Sequence, residues 1–278
     1  MKLVYTAIFE DVGSYIPNSF FCNKFFDRAC LLLSVTLSKQ YFNNIEIRTT
    51  PDMGEFLSEL FSDVSIVHQN CQQFGDYNWQ MNKIMSYSQQ SEPFLHIDHD
   101  VFISKNPNLE LWNSGFLTQN LESSSDKQDH IRSVYFMAKN NGHIFPEYAE
   151  ERATQKLWTQ HNMGLFGCFD LEKCHQYCQD IFGCAGNGRP FSGQAIIYEQ
   201  FCFTAFANKN EIPVMTFLDN NSIEDDAERK GYCHLMGGKS RVDTMSRTID
   251  SLGRHNPEAL YKLYKTFDTK TGDLKVSA

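Results

Sequence analysis

Two aspartates separated by one residue are the first feature of this sequence that points to chemistry. Asp98 and Asp100 follow a short apolar run in the stretch EPFLHIDHDVFI, residues 92–103, and this run has the length of a buried strand. On an extended backbone the two carboxylates point to one side and His99 to the other. Neighbouring carboxylates repel each other unless a cation lies between them, and Mg²⁺ and Mn²⁺ prefer oxygen ligands. We therefore predict that Asp98 and Asp100 bind Mn²⁺ or Mg²⁺ with a diphosphate, and that His99 contacts the substrate.

The position of this pair in the chain separates ligand binding from a structural role. An Asp-x-Asp triplet is common, and carboxylates that follow a strand often cap a helix or hold a turn. In open α/β sheets, however, ligands bind at the carboxyl ends of the strands. A pair directly after a buried strand therefore favours a binding site.

Strands and helices alternate through the first hundred residues. Apolar strand patterns occur at 3–9, 44–49 and 64–67, and helical patterns occur at 18–39, from Pro51 to 61, and at 77–89. Helical crossovers make neighbouring strands parallel. The pattern predicts an α/β fold, a single Rossmann-like domain with a mostly parallel central sheet flanked by helices. No GxGxxG or GxxxxGK[ST] motif follows the first strand, so we expect the metal to hold the phosphates.

The rest of the chain is predicted to complete the same domain. Residues 1–103 would bind the nucleotide, residues 104–241 the donor sugar and acceptor, and residues 242–278 would form C-terminal helices. Within the second part, the polar stretch 119–130 indicates a loop. Further predictions are a short strand from Val134 to Met137 and a solvated turn at the acidic run 223–228.

Polar residues interrupt two apolar stretches of the second part. Asn162 and Gly164 lie in the strand-like HNMGLFGCF, where glycine lets a ligand approach the backbone or only permits a bulge. Glu199 and Gln200 lie in an apolar helix. Buried polar groups need partners, so this pair either bonds to the backbone or faces a site.

A third polar group occurs in GYCHLMGGKSR, residues 231–241. His234 offers an imidazole nitrogen, Gly237 an approachable backbone, and Lys239 a cation, with Arg241 close behind. A lone histidine is more typical of a hydrogen-bonded core residue. Together with two aspartates that need a cation, His234 is predicted to be a third metal ligand.

Charge and hydropathy exclude several classes of protein. The 278 residues carry a net charge of −9 with a pI near 5.5, and no long Lys/Arg run appears, which argues against a nucleic-acid partner. No apolar stretch approaches the ~20 residues of a transmembrane segment, and the start MKLVYTAIFEDVG lacks the features of a secretory signal. We expect a cytoplasmic protein whose contact with a membrane, if any, is peripheral and through its acceptor.

Nine cysteines are scattered along the chain, and four of them cluster at Cys168, Cys174, Cys178 and Cys184. Their spacing matches no short zinc-ribbon pair, so we expect reduced core thiols, with structural zinc as the minor alternative.

Four of these motifs together resemble the GT-A-fold nucleotide-sugar glycosyltransferases, especially glycosyltransferase family 8. They are a strand ending in Asp-x-Asp, an Asn-x-Gly in a later strand, an acid–Gln pair in a helix, and a late His-x-x-Gly-x-Lys, spanning residues 3 to about 241. The resemblance implies a GT-A-like domain in which Asp98, Asp100 and His234 bind Mn²⁺ on the sugar-nucleotide diphosphate. It also implies that Asn162 and Gly164 lie near the donor sugar.

The sequence departs from the family pattern at two motifs. The late motif usually reads His-Phe-x-Gly-x-x-Lys-Pro-Trp, whereas here one residue is missing before Lys239 and no Pro-Trp follows. The diphosphate contact that the resemblance implies for Lys239 could thus be shared by Arg241. The usual Asp-Gln pair is Glu199-Gln200 here, and both are candidate catalytic residues. Family 8 enzymes retain the anomeric configuration; an inverting enzyme would need a carboxylate base, for which Glu199 is the candidate.

We therefore predict a hexosyltransferase-type enzyme that transfers sugar from a nucleoside-diphosphate sugar to a glycan, lipid-linked or protein acceptor. Leaving-group stabilisation would drive the reaction. Tyr5 and Thr6, at the end of the first strand, and Lys83, before the metal strand, are placed to hold base, ribose or phosphate. One alternative is a haloacid-dehalogenase-like phosphatase with Asp98 as nucleophile and Asp100 as acid. Another is a non-catalytic sugar-nucleotide-binding protein.

Overall fold

The alternation of apolar strands with amphipathic helices produces a layered α/β structure. The computed structural model describes residues 1–8, 24–69, 79–113, 115–123, 125–184, 196–268 and 273–274. In this part of the chain, a seven-stranded sheet lies between two layers of helices. The predicted Rossmann-like α/β architecture with a mostly parallel sheet is confirmed.

The strands and helices have the following bounds. The strands are β1 Lys2–Ala7, β2 Ile45–Thr49, β3 Ser65–His68, β4 Phe94–Ile97, β5 Val101–Ile103, β6 Phe116–Glu122, β7 Gln160–Cys168, β8 Val214–Thr216, β9 Tyr232–His234, β10 Phe267–Asp268 and β11 Asp273–Leu274. The α-helices are α1 Lys24–Ser38, α2 Pro51–Leu60, α3 Trp79–Ser88, α4 Ser125–Asn140, α5 Glu147–Ala153, α6 Leu171–Cys184, α7 Cys202–Lys209, α8 Ile223–Lys230, α9 Val242–His255 and α10 Pro257–Thr266. A π-helical turn, Ile197–Phe201, precedes α7.

The main sheet has the strand order β3-β2-β1-β4-β7-β6-β8. β7 is antiparallel to its neighbours β4 and β6, and the other pairs are parallel. β5 and β9 form a separate antiparallel pair. The carboxyl ends of β1 to β4 therefore share one edge of the sheet, which is where ligands bind in folds of this kind.

Both faces of the sheet are covered by apolar layers. α1, α2, α9 and α10 pack on one face, and α3 to α7 pack on the other. The period of two along β7 sends Leu165 into the first layer and Phe166 into the second. The Phe166 ring lies 4.7 to 6.0 Å from four other aromatic rings, those of Tyr87, Phe94, Phe116 and Phe203.

Three local predictions are wrong. Residues 119–130 are not a loop, because β6 continues to Glu122 and α4 begins at Ser125. The strand predicted at Val134 to Met137 lies within α4, and the acidic run 223–228 lies within α8. In α4 the buried residues recur at helical spacing: Ile131, Val134, Tyr135 and Ala138. Asn18 and Ser19, the predicted caps of the first helix, lie outside the described residues.

The clustered cysteines lie in the core. Cys168, Cys174 and Cys178 are buried free thiols on β7 and α6, and burial raises the pKa of the Cys178 thiol well above its usual range. Among the described residues, no cysteines form a group of three ligands close enough for one metal ion. A structural zinc site therefore has no support in the described part of the chain.

None of the helices in the described part of the chain combines the length and the apolar character needed to cross a bilayer.

Candidate metal centre

The two aspartates lie in the turn between β4 and β5. β4 ends one residue before Asp98, and the Val101 amide donates to the Asp98 carbonyl oxygen at 2.9 Å, which closes the turn. The extended backbone that we predicted for Asp98 and Asp100 is therefore wrong. The Asp98 amide donates to the Gly164 carbonyl oxygen of β7 at 2.9 Å, so the turn is anchored to the main sheet.

Pairing of β5 with β9 brings a histidine to the aspartates. Val101 lies opposite His234 in this pair, and the Leu235 amide donates to the Asp100 carbonyl oxygen at 3.2 Å. One ligand atom from each of Asp98, Asp100 and His234 consequently lies within 4.8 Å of the others. The structure thus brings the three predicted metal ligands together, although His234 is far from the two aspartates in the sequence.

The donor set fits a hard divalent ion. Carboxylate oxygens and an imidazole nitrogen are ligands that Mn²⁺ accepts. The exposed fraction of the side chain is 13% for Asp98, 2% for Asp100 and 9% for His234. Because water screens such enclosed carboxylates poorly, their mutual repulsion is strong and a cation between them would relieve it.

A buried lysine neutralises part of this charge. Lys83 Nζ lies 2.7 Å from Asp98 Oδ1, forms an ion pair with Glu199 Oε1 and donates to the Met163 carbonyl oxygen at 3.3 Å. Burial lowers the pKa of Lys83, but the Asp98 and Glu199 carboxylates outweigh burial and raise the pKa above its usual value. In the structure the Lys83 side chain is enclosed between two carboxyl groups, and its contact with base, ribose or phosphate stays a prediction.

Glu199 is enclosed to the same degree. It lies in the π-helical turn, and its Oε1 accepts hydrogen bonds from Lys83 and, at 3.3 Å, from the Tyr87 hydroxyl. Burial raises the pKa of Glu199 to about 7, with Lys83 opposing the shift and Asp98 adding to it. Because Glu199 is buried and paired with Lys83, the structure does not place it against an acceptor. Its role as a catalytic base stays a prediction, and the observed contact of its carboxyl group is with Lys83.

Gln200, the next residue, joins a polar cluster on β6 and β7. Gln160 Nε2 donates to Gln200 Oε1 at 2.7 Å and to Glu122 Oε2 at 2.9 Å. Asn162 Nδ2 donates to Glu122 Oε1 at 3.1 Å, and Asn162 Oδ1 accepts from the Gly164 amide at 2.9 Å. The predicted residues Asn162 and Gln200 are thus linked through Glu122 and Gln160.

Gly164 makes room for the His234 ring. A Cβ at this position would lie 2.4 Å from His234 Cε1 and 2.7 Å from Gln119 Oε1. The His234 ring therefore occupies the space beside Gly164, and the approach of a ligand to this backbone stays a prediction.

Tyr5 and Thr6 lie in the core, and their contact with the nucleotide stays a prediction. The Tyr5 side chain is fully buried, and its hydroxyl donates to Ser38 Oγ at 2.8 Å. Thr6 Oγ1 donates to Ser86 Oγ at 2.7 Å and lies 3.0 Å from His96 Nε2. β1 ends at Ala7, one residue after Thr6, and the side chains of Tyr5 and Thr6 alternate into the two layers on either side of the sheet.

Two further candidates contact acidic residues. His99 Nε2 lies 2.6 Å from Asp27 Oδ1 on α1, which is consistent with its predicted orientation away from the aspartates. Arg241 is exposed, and its Nε lies 3.1 Å from Asp243 Oδ1. The substrate contacts that we predicted for His99 and Arg241 remain predictions.

Gly237 and Lys239 lie in the 3₁₀ turn Met236–Ser240, which follows β9 after one residue. The side chain of Lys239 lies outside what the structure describes, so its contact with a diphosphate stays a prediction.

Sequence comparison identifies the family of the chain. The model described as "Family of unknown function (DUF6734)" matches residues 1–266. The chain belongs to this family. No curated protein sequence is significantly similar to it.

Three solved structures are similar to this DUF6734 chain at low sequence identity. A Bacillus anthracis protein assigned as glucose-1-phosphate thymidylyltransferase has a TM-score of 0.44 and 13% identity, covering 82% of this chain and 93% of its own. Mouse xyloside xylosyltransferase 1 has a TM-score of 0.41 and 8% identity, covering 78% and 85%. The 4-diphosphocytidyl-2C-methyl-D-erythritolsynthase of Anaerococcus prevotii has a TM-score of 0.39 and 8% identity, covering 77% and 85%. At this level of similarity the three structures support no inference about chemistry.

Sequence analysis of the DUF6734 chain missed the residues that surround the predicted ligands. Gln119 and Glu122 fall in the stretch that we predicted to be a loop, and Gln160 and Tyr232 were not singled out. The strand FLTQNLE buries polar side chains toward the site, so its sequence does not show the alternation of apolar and polar residues that indicates a strand. The sequence signal for this strand was its apolar start, Phe116 and Leu117.

We expect Gly164→Ala to weaken Mn²⁺ binding by about tenfold or more, because the new methyl group would displace His234 from the aspartates. Isothermal titration calorimetry of Mn²⁺ binding measures this change. Gly183→Ala is the matched control, since a Cβ at Gly183 meets no atom within 4 Å. Equal affinity in Gly164→Ala and wild type would contradict the packing of His234 on Gly164.

We also expect Glu199 to make stability fall as pH rises from about 4.5 to about 7. Because burial raises the pKa of Glu199 from 4.5 to about 7, the folded protein binds this proton more tightly than the unfolded chain. The stabilisation is complete below pH 4.5 and is lost as pH rises through 7. Glu199→Gln should therefore flatten the pH dependence of the unfolding free energy, measured by urea denaturation, whereas the exposed Glu258→Gln should not. The same slope in wild type and Glu199→Gln would contradict this account of Glu199.

Proposed function

We propose that the chain is a metal-dependent glycosyltransferase that moves a sugar from a nucleoside-diphosphate sugar to an acceptor hydroxyl. The observation that supports this most directly is the meeting of Asp98, Asp100 and His234 at the carboxyl end of β4. The order and type of the motifs, which resemble those of glycosyltransferase family 8, add the substrate class. By the same resemblance we propose a hexosyltransferase-type enzyme that retains the anomeric configuration.

The site would hold Mn²⁺ or Mg²⁺ on one oxygen of each aspartate and on His234 Nε2. When bound, this ion supplies positive charge that balances the charge developing on the departing diphosphate. Lys83 keeps the Asp98 carboxylate in place through its 2.7 Å contact. We assign the second cationic contact with the diphosphate to Lys239, which lies in the turn that follows His234.

We assign recognition of the donor sugar to the polar cluster around Asn162 and Gln200. Its amide groups can both donate and accept hydrogen bonds, which suits sugar hydroxyls. Asn162 is joined to the metal centre through the Gly164 amide at 2.9 Å. Because Glu199 is enclosed, the reaction we propose does not use it as a base. This agrees with a retaining enzyme, in which no side-chain carboxylate has to deprotonate an acceptor hydroxyl that attacks from the face opposite the leaving group.

The acceptor would be a glycan, lipid-linked or protein hydroxyl, and we propose a cytoplasmic location. A haloacid-dehalogenase-like phosphatase is not favoured. Its nucleophile would be Asp98, but Asp98 Oδ1 is held by the buried Lys83 ammonium and a histidine completes the group. An aspartate that attacks phosphorus requires neither the ammonium contact nor the histidine, whereas both belong to the proposed metal site.

We predict that the protein, with Mn²⁺, releases a nucleoside diphosphate from at least one common sugar nucleotide. Asp98→Asn and Asp100→Asn should each lower kcat/KM by roughly 100-fold or more, because transition-state stabilisation is lost. Asp63→Asn, at an exposed aspartate paired with Lys39, is the control, because neither residue has a predicted role in the reaction. The measurement is the release of the nucleoside diphosphate from each member of a panel of sugar nucleotides.

Mass spectrometry after incubation with a phosphoryl donor separates the two enzyme classes. We expect no covalent adduct at Asp98, whereas a phosphatase would form an aspartyl-phosphate there. An adduct at Asp98 would overturn the proposal. Failure of every sugar nucleotide, with the fold intact and metal bound, would indicate a non-catalytic sugar-nucleotide-binding protein.

A further inference from the structure

Gln119 contacts the nitrogen of His234 that faces away from the aspartates. Its Oε1 lies 2.8 Å from His234 Nδ1. The other ring nitrogen, Nε2, lies 3.6 Å from Asp100 Oδ1. One edge of the imidazole therefore meets an amide, and the opposite edge meets the carboxylates.

The hydrogen-bonding pattern around Gln119 fixes the position of the imidazole proton. Gln119 Oε1 also accepts a hydrogen bond from the Tyr232 hydroxyl at 2.8 Å. An amide oxygen has two lone pairs and no hydrogen, so in this orientation it can only accept, and His234 Nδ1 must be the donor. In a neutral imidazole the other nitrogen then presents a lone pair. That nitrogen is Nε2, which faces Asp100.

The chain holds this amide rigidly. Gln119 is 3% exposed, and the register of β6 against β7 shifts between Thr118 and Asn120. A register shift of this kind changes the direction in which the side chain at the irregular position points. The Gln119 carbonyl oxygen accepts from the Leu218 amide at 2.8 Å, so the backbone is fixed as well. On the other side of the ring, the missing Cβ of Gly164 leaves the space that His234 and the Gln119 amide occupy.

We propose that Gln119 is a positioning residue that keeps His234 in the tautomer protonated at Nδ1 and thereby presents Nε2 to a hard divalent cation. Metal-ligating histidines commonly donate their second N–H to such a partner, which fixes both the tautomer and the ring orientation. The inference rests on the metal site of the proposed function and does not depend on which substrate is used.

Nitrogen NMR of the metal-free protein tests the tautomer directly. The wild-type chain is labelled with ¹⁵N-histidine, and the His234 signals are assigned by their loss in His234→Asn. At a pH where the imidazole is neutral, we expect Nδ1 to carry the proton and Nε2 to carry none. A proton on Nε2 would overturn the proposal, and this result needs no variant at Gln119.

Two substitutions test the role of the amide oxygen. Gln119→Met keeps the length of the side chain but removes the acceptor, and Gln119→Glu keeps an acceptor. We expect Gln119→Met to shift the proton of His234 toward Nε2 and to weaken Mn²⁺ binding by roughly 10- to 100-fold. Gln119→Glu should keep the wild-type tautomer of His234 and most of the wild-type affinity for Mn²⁺. Retention of the wild-type tautomer and affinity in folded Gln119→Met would overturn the proposal.

A matched control removes another buried glutamine. Gln90 is 1% exposed, and its Nε2 donates to Glu46 Oε1 and to the Ser86 carbonyl oxygen, each at 3.0 Å. Gln90→Met should leave the tautomer of His234 and the Mn²⁺ affinity unchanged, even if it lowers stability. An equal loss of Mn²⁺ affinity in Gln90→Met would show that general destabilisation, and not the contact with His234, explains the result, and would count against the proposal.

These measurements separate the inference from the proposed function. A proton on Nδ1 with strong Mn²⁺ binding, but no sugar nucleotide used, would refute the glycosyltransferase and leave the role of Gln119 intact. Metal-dependent transfer with the proton on Nε2 would refute the role of Gln119 and leave the enzyme intact.

Discussion

The hydrogen bonding of β7 to β4 and β6 is the constraint on which the site depends. β7 is buried along all nine residues and is antiparallel to both neighbours. Its Gly164 carbonyl oxygen accepts from the Asp98 amide, and its Met163 carbonyl oxygen accepts from Lys83. The same Gly164 gives His234 its space. β7 thus contacts the turn that carries Asp98, the buried Lys83 and the ring of His234. A local change in β7 should therefore affect all three.

The charge of the site follows from this enclosure. A buried ammonium is costly unless it is paired, and Lys83 is paired with both Asp98 and Glu199. Among the described residues, Asp98 and Asp100 lie close together in a place that water reaches little. A divalent cation between the two carboxylates would reduce their mutual repulsion.

The sequence predicted the fold and the meeting of Asp98, Asp100 and His234, but it did not predict the local backbone geometry. Alternating apolar strands and helices were sufficient for the parallel part of the sheet, and Asp98, Asp100 and His234 were identified by residue type and position. The extended backbone assumed for the aspartates was wrong, because the turn depends on a hydrogen bond to β7, a contact that no local pattern contains. Gln119 was missed for a related reason: β6 buries polar groups against the site, so its side chains follow tertiary contacts and not the apolar period.

The most direct test of the metal centre is calorimetric titration of nucleoside diphosphates into the protein, with and without Mn²⁺. A diphosphate that bound at the proposed site would meet two aspartates, and an intervening cation would turn this repulsion into attraction. We predict weak or undetectable binding without a divalent ion and much tighter binding of at least one nucleoside diphosphate with Mn²⁺. Binding of equal strength in the presence and absence of Mn²⁺ would contradict the account.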